Sequence, residues 1–194
     1  MLENITKKIT NEIVLNVPGI SEEKAEQIDY GLYMAFADGL KLFAVLFVAL
    51  LMGQLKYAVV AVIVFSLNKS YLGGVHAKTQ IGCVVTHFLF IFGTVYLAQV
   101  FNIKFLNIIL FAIAGVLTFL YAPADLASKP IVTEKRKREL RIKGSILLVI
   151  CLAITLIVPN IYSNIISLIT IISAVNITPI VYRLTKNKRG GIII

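Results

Sequence analysis

Tryptophan is absent from the 194-residue sequence, and histidine and cysteine occur only twice each. The two cysteines, Cys83 and Cys151, fall in segments that we place at membrane level, which argues against a stabilising disulfide framework. The chain contains no HExxH or paired CxxC motif, so a standard zinc-binding spacing is missing. Its first residues lack the continuous apolar stretch and cleavage site of a secretory signal, and we expect no cleaved leader.

Hydrophobic residues make up 58% of the chain, more than one water-soluble domain of this length can bury. A helix needs roughly 20 apolar residues to cross a hydrocarbon core about 30 Å thick. The apolar segments are that long and closely spaced, so the sequence predicts an all-α polytopic membrane protein in which residues 1–194 form a single membrane domain. The net charge of +9 lies mainly between the apolar runs, which is typical of topology signals and not of nucleic-acid binding.

Residues 1–20 predict an amphipathic helix on the membrane surface, because apolar residues recur there every four positions. Pro18 and Gly19 end that helix, and Ser21 is the predicted N-cap of the next one. A broken or re-entrant helix around residues 40–72 is the alternative to two full crossings, because the second span is short. The six predicted spans are Gly31–Gly53, Leu55–Leu67 with an extension to Tyr71, Cys83–Phe101, Phe105–Tyr121, Ser145–Val158 and Ile161–Tyr182.

The distribution of lysine and arginine predicts the orientation. With a cytoplasmic N-terminus and six crossings, sixteen of the nineteen basic residues lie on cytoplasmic segments. Only Lys56 and Lys104 lie on external links, and Lys41 lies inside the first span, where Asp38 at i, i+3 neutralises it. By the positive-inside rule, we expect both termini and the segment 68–83 on the cytoplasmic side of the cell membrane.

The segment 68–83, NKSYLGGVHAKTQIGC, collects the scarce residue types and is the predicted catalytic segment. A nucleophilic Cys83 needs a base within hydrogen-bond reach, and His76 is the nearest upstream candidate. On one unbroken helix the two would lie about 10 Å apart, so the chain between them must bend. Gly73-Gly74 supplies flexibility for that bend. A helix capped at Thr79 would then place Cys83 in a first turn, where N–H groups favour a thiolate and an oxyanion.

Three alternatives accompany this interpretation. His87 lies at i, i+4 from Cys83 and reaches it without a bend, but burial in the apolar run disfavours a charged imidazolium, so His76 ranks first. A zinc site made by Cys83, His76 and His87 is the second alternative. The third is purely structural, with the side chains serving helix packing and a helix-end hydrogen bond.

A third catalytic member would orient His76. Asp125, Gln80 and Asn68 are the candidates, and the sequence does not choose among them. Cys151 lies in a span rich in isoleucine and leucine and is predicted to be a small buried apolar residue.

The string GGVHAKTQIGC, followed about forty residues later by YAPADLASKPI and then by EKRKRELR, resembles the AgrB family, the accessory gene regulator protein B peptidases. The resemblance covers nearly the whole chain. In the family, a Gly-x-His-Ala element and a Cys seven residues after the His form a cysteine peptidase site. The residues here that match this motif are Gly74, His76, Ala77 and Cys83.

Two positions depart from the family pattern. The usual arginine upstream of the glycine element corresponds to Lys69, which keeps the charge but cannot bind a carboxylate in bidentate fashion. Several lysines usually precede the proline of the Tyr-Ala-Pro-Ala loop, whereas here Lys129 alone stands before Pro130 and the basic charge continues from Lys135 to Lys143.

The resemblance implies a cysteine endopeptidase that removes an acidic C-terminal tail from an AgrD-like propeptide and holds the peptide as a thioester on Cys83. Attack by a cysteine of the substrate would release a cyclic thiolactone, the precursor of a quorum-sensing peptide. The resemblance implies a homodimer and no cofactor. The basic loop 122–144 is a natural partner for an acidic tail or anionic lipids, and topology signalling explains part of its charge.

Two other classes of function are compatible with the composition. A small transporter or exporter is one, and only Asp38 and Lys41 favour it. A non-catalytic scaffold that presents a peptide to another enzyme is the other.

Overall fold

The protein is described by a computed structural model that covers residues 2–77, 79–101, 106–127, 130–131 and 133–190. Within these ranges the regular secondary structure is α-helical, which confirms the predicted all-α fold. The helices are α1 (Leu2–Asn16), α2 (Glu22–Leu51), α3 (Leu55–Leu72), α4 (Gln80–Val100), α5 (Leu106–Tyr121), α6 (Glu134–Ile157), α7 (Asn160–Val175) and α8 (Pro179–Leu184).

Four of the helices, α2, α3, α4 and α6, are long and apolar enough to cross a membrane, and the polytopic membrane class is confirmed. Helices α5 and α7 are apolar but have 16 residues each. At 1.5 Å per residue each rises only about 24 Å, less than a hydrocarbon core of about 30 Å. No break interrupts α3, so the structure gives two continuous helices in the region 40–72, where a re-entrant segment was the alternative.

Residues 1–52 form one compact unit, in which α1 packs against α2. The predicted N-cap at Ser21 is confirmed, because its side chain accepts a hydrogen bond from the Lys24 N–H at 3.4 Å. The residues that α1 buries are Thr6 and Thr10. Part of the predicted apolar stripe stays exposed, with Ile5 at 44%.

Residues 53–194 form the second unit, a bundle with α7 at its centre. Helix α7 packs against α3, α4, α5 and α6. Much of its buried surface is small and polar, which allows the neighbouring helices to approach closely. Its buried serine, threonine and asparagine residues are Ser163, Asn164, Ser167, Thr170 and Ser173.

The structure differs from the predicted helix boundaries at two places. The sixth span is not one helix, because α7 ends at Val175 and α8 begins at Pro179, whose ring cannot continue a preceding helix. The predicted basic loop 122–144 is helical from Glu134 onward. Thr133 caps α6 there by accepting a hydrogen bond from the Arg136 N–H at 3.4 Å, and lysine, arginine and glutamate are good helix formers.

Candidate active site

The chain leaves α3 through Gly73 and Gly74, two positions that no other residue type fits. Gly73 has φ of +77° and Gly74 has φ of +101°, a backbone region that side chains rarely adopt. A Cβ on Gly73 would collide with the carbonyl oxygen of Ala124, and one on Gly74 would lie 3.0 Å from the carbonyl oxygen of Asn176. The glycine pair therefore forms the predicted bend through backbone conformations and close backbone contacts that other residues would disturb.

Backbone hydrogen bonds fix this segment against the chain that follows α5. The Ala124 N–H donates to the Leu72 carbonyl, and the Gly74 N–H donates to the Ala124 carbonyl, both at 2.8 Å. The Val75 N–H donates to the Asn176 carbonyl at 3.4 Å, at the end of α7. The residues just before His76 are thus held between two segments that lie about 50 and 100 positions away in sequence.

Cys83 lies in the first turn of α4. Thr79 caps this helix, as predicted, by accepting a hydrogen bond from the Gly82 N–H at 3.1 Å. The Cys83 N–H donates to the Thr79 carbonyl at 2.9 Å, the first hydrogen bond of the helical ladder. The side chain of Cys83 is half-buried. Because residues 73–77 are non-helical, the bend that was required between His76 and Cys83 is present.

Lys69 connects the two sides of this bend. It lies in the last turn of α3, and its Nζ donates a hydrogen bond of 2.6 Å to the carbonyl of Val75, the residue before His76. Its side chain also lies within electrostatic reach of Cys83. A lysine makes both interactions without the bidentate geometry of the arginine that the family usually has here.

The two histidines lie in different surroundings. The side chain of His76 is exposed, and its backbone carbonyl accepts a hydrogen bond of 3.1 Å from Nδ2 of Asn187. His87 is half-buried inside α4, and its ring packs edge-on against Phe65 of α3 at a centroid distance of 5.2 Å. His87 therefore contributes to helix packing, whereas His76 lies on the accessible non-helical segment.

Asp125 has a structural role in the loop after α5. Its Oδ2 accepts a hydrogen bond from the Ile131 N–H at 2.9 Å, and its carbonyl accepts one from the hydroxyl of Tyr182 at 2.8 Å. Burial, reinforced by the Asp125 carboxylate and opposed by Arg189, raises the pKa of Tyr182 to about 12. The hydroxyl therefore remains protonated and continues to donate at neutral pH.

The remaining residues considered in the sequence analysis lie on different elements. Asn68 is buried in α3 and donates to the Val64 carbonyl of its own helix at 2.9 Å. Gln80 is exposed as the first residue of α4. Cys151 is buried in α6 as predicted, with 4% of its surface exposed. Lys129 lies outside the residues that the structure describes.

The zinc alternative receives no support from the geometry. In the described part of the chain, three or more histidine, cysteine, aspartate or glutamate side chains nowhere converge in a group that could hold a metal ion.

Asn187 is the residue of this region that the sequence did not single out. It lies 111 positions after His76, in a segment that looks like an ordinary basic tail. Its only sequence signal is that asparagine and glycine, as at Asn187 and Gly190, favour turns.

A family model described as Accessory gene regulator B matches residues 6–177. The chain belongs to the AgrB family. Among its relatives are AgrB-like protein 2 of Clostridium perfringens, 28% identical over 75% of this chain and 71% of the relative, and an AgrB-like protein of Clostridium acetobutylicum, 29% identical over 84% and 78%. An AgrB-like protein of Listeria monocytogenes is 26% identical over 86% and 83%. No solved structure matches the chain.

Membership in the AgrB family links the chain to the accessory gene regulator system and to its membrane-bound processing proteins. The region that the family model matches contains the glycine pair, Cys83 and the loop after α5. It ends at residue 177, so α8 and Asn187 lie beyond it.

Proposed function

We propose that the chain is a membrane cysteine endopeptidase that cleaves the C-terminal tail of an AgrD-like propeptide, with Cys83 as nucleophile and His76 as base. The observation that carries the proposal is the capped first turn of α4. There a half-buried Cys83 follows the Thr79 cap and lies within electrostatic reach of the Lys69 side chain. The thiolate is the nucleophilic form of cysteine, and the N–H groups at a helix N-terminus stabilise nearby negative charge.

The first half of the reaction is acyl transfer to the enzyme. His76 takes the proton of the Cys83 thiol, and the thiolate attacks the carbonyl carbon of the scissile peptide bond. N–H groups at the start of α4 stabilise the oxyanion that forms. The peptide C–N bond then breaks, His76 gives the proton to the leaving amine, and the peptide remains as a thioester on Cys83.

The second half closes the ring. A cysteine thiol of the bound peptide attacks the thioester carbonyl, loses its proton to His76 and releases the Cys83 thiolate, which is reprotonated. One thioester replaces another, so the step is nearly isoenergetic, and the tethered thiol has a large effective concentration. Hydrolysis competes only where water reaches the thioester, and the partial burial of Cys83 supports a water-poor site.

Basic side chains of α3 and α6 suit a substrate with an acidic tail. The first turns of α6 carry exposed Lys135 and Arg136, and Lys69 lies at the end of α3. Arg141 instead holds the loop after α5, because its Nε donates to the Ala122 carbonyl at 3.0 Å. The positive-inside rule puts this basic side in the cytoplasm, where anionic lipids are a second partner. The homodimer implied by the family remains part of the proposal, and cross-linking in membranes tests it.

The decisive experiment uses purified protein in detergent with a matching propeptide. Cys83→Ala and His76→Ala should each abolish release of the C-terminal tail, and mass spectrometry of the parent protein should detect an adduct on Cys83. Cys151→Ala, which changes the other cysteine at a buried position in α6, is the matched control and should cleave like the parent protein.

Several outcomes would redirect the proposal. Full processing by Cys83→Ala would exclude covalent catalysis by this thiol. If His87→Ala is more damaging than His76→Ala, His87 is the base. Activity in detergent, without a second compartment or another enzyme, separates a peptidase from a transporter and from a scaffold. The transporter alternative has no independent support, since Asp38 and Lys41 form an ion pair with each other.

A further inference from the structure

Residues 185–190, which follow α8, form what we call the C-terminal strap. The strap contacts both segments that flank the candidate site. The carbonyl of Lys188 accepts a hydrogen bond from the Ala127 N–H at 3.0 Å, in the loop after α5. Arg189 donates to the Ile177 carbonyl at 2.6 Å, and its guanidinium lies 5.1 Å from the ring centre of Tyr182. The strap is therefore part of the folded bundle.

The end of the strap is packed as tightly as a core position. Gly190 is buried, and a Cβ at this position would lie 2.5 Å from the carbonyl oxygen of Leu126 and 2.9 Å from Cβ of Pro130. No larger residue fits without moving the loop after α5. The position of the strap is thus set on both sides of Asn187.

A turn directs Asn187 toward the catalytic segment. Lys186 has φ of +52°, and the Asn187 N–H donates back to the Tyr182 carbonyl at 3.0 Å. Nδ2 of Asn187 donates to Oγ1 of Thr185 at 2.9 Å and to the carbonyl of His76 at 3.1 Å. Both hydrogen atoms of the amide group are used, which fixes its orientation.

The hydrogen bond from Asn187 to the His76 carbonyl lies between two anchored parts of the chain. Residues up to Val75 are held by Asn176 and Lys69, and the chain is held again at the Thr79 cap. The carbonyl of His76 lies between these two anchors and is held from the strap. A side chain that holds this carbonyl sets the position from which the imidazole approaches Cys83.

We propose that Asn187 is a positioning residue, which holds the backbone of His76 so that the imidazole reaches Cys83. This inference rests on the proposed function. It adds a requirement that the family motif does not contain, because Asn187 lies beyond residues 6–177. Small displacements of a catalytic group reduce the rate strongly without an equal loss of substrate binding.

The test compares Asn187→Asp with the parent protein, both as full chains in detergent. Aspartate has nearly the same size, but its carboxylate accepts hydrogen bonds and cannot donate one to the His76 carbonyl. We expect kcat for tail cleavage to fall roughly tenfold, with KM changed less than about twofold. The alkylation rate of Cys83 by iodoacetamide at neutral pH should fall toward that of His76→Ala, with mass spectrometry assigning the label to Cys83.

Four further variants separate positioning from stability. Asn187→Gln keeps the amide donor and should recover part of kcat. Asn16→Asp makes the same change at an exposed amide that donates to the Glu12 carbonyl of α1 at 2.8 Å, and it should resemble the parent protein. Arg189→Gln loosens the strap without touching His76. It should therefore lower thermal stability and leave the alkylation rate of Cys83 in the folded protein near the parental value. The double variant His76→Ala/Asn187→Asp should be alkylated no more slowly than His76→Ala, because both changes act on one group.

The possible failures are distinguishable. If His76→Ala is inactive and Asn187→Asp has parental kcat and alkylation rate, the positioning role is wrong and the peptidase proposal stands. If Asn187→Asp lowers kcat only in proportion to the loss of folded protein, the bond is structural and the inference is also wrong. If His76→Ala keeps full activity, the proposed base and the inference are overturned together.

Discussion

Different groups form the hydrogen bonds at the two ends of α7. At its start, which we call the amide end, side chains of Asn107, Ser163 and Asn164 join the helices, with Asn107 donating to Ser163 at 2.8 Å and Asn164 donating to the carbonyls of Ala98 and Phe101. At the other end, which we call the glycine end, backbone groups of Gly74 and Val75 bond to Ala124 and Asn176.

The two ends of α7 therefore differ in whether their side chains serve stability or activity. At the amide end, polar side chains satisfy the carbonyls where helices finish, so those side chains are used for stability. At the glycine end, backbone hydrogen bonds and the side chains of Lys69, Asn187 and Arg189 hold the chain, and these bonds do not use the imidazole of His76 or the thiol of Cys83. Changes at the amide end should therefore affect stability, and changes at the glycine end should affect activity as well.

The largest effect is expected for Gly73→Ala, which disrupts the close backbone contact at the glycine end. The new Cβ meets the Ala124 carbonyl at a backbone φ that alanine tolerates poorly, so we expect a loss of about 2–3 kcal/mol in unfolding free energy and little remaining cleavage. Thermal unfolding in detergent and a tail-release assay measure both. The control is Gly93→Ala in α4, where nothing lies within 4 Å and stability should be unchanged or slightly higher.

The next effect is that of Lys69→Met. This change removes the hydrogen bond to the Val75 carbonyl and the electrostatic interaction of the lysine with Cys83. Since hydrogen bonds from charged groups contribute about 1.5–3 kcal/mol, kcat/KM should fall about 10- to 100-fold. Lys69→Arg keeps the charge and should retain more activity than Lys69→Met. Equal activity of both variants and the parent protein would show that the charge is dispensable.

Asn164→Leu tests the amide end. It leaves the Ala98 and Phe101 carbonyls without their donor, and we expect a loss of about 1–2 kcal/mol in stability. The kcat of the folded fraction should stay at the parental value. Ser167→Ala is a milder comparison, because the Ser167 hydroxyl donates only to Ser163 of its own helix. A large loss of kcat in folded Asn164→Leu would remove the distinction between the two ends.

The smallest effect is expected for Tyr182→Phe. Losing the hydroxyl that donates to the Asp125 carbonyl should cost about 1 kcal/mol, which lowers Tm by about 2–4 °C. Because the pKa of Tyr182 is raised to about 12, the hydroxyl stays protonated and this difference should be constant from pH 6 to pH 9. Tyr96→Phe, at a position 66% exposed, should leave Tm unchanged.

Features encoded by a few neighbouring residues were predictable. The caps at Ser21 and Thr79 were predicted correctly because a hydroxyl side chain and the helix it caps are adjacent in sequence. The start of α6 at Glu134 was missed although Thr133 gives the same kind of signal, because the basic run was interpreted as a topology signal. The interruption at Pro179 was missed because the apolar run continues through it.

By itself the sequence determined the membrane class, the order of the apolar helices and the short motif that contains His76 and Cys83. These depend on hydrophobic length and local spacing, which a linear chain records directly. The tertiary structure alone decided that Gly73 is required by contact with Ala124, that Lys69 joins Val75 to Cys83 and that Asn187 reaches His76. Two of these contacts join residues about 50 and 111 positions apart, and only the packing of the helices around α7 brings them together.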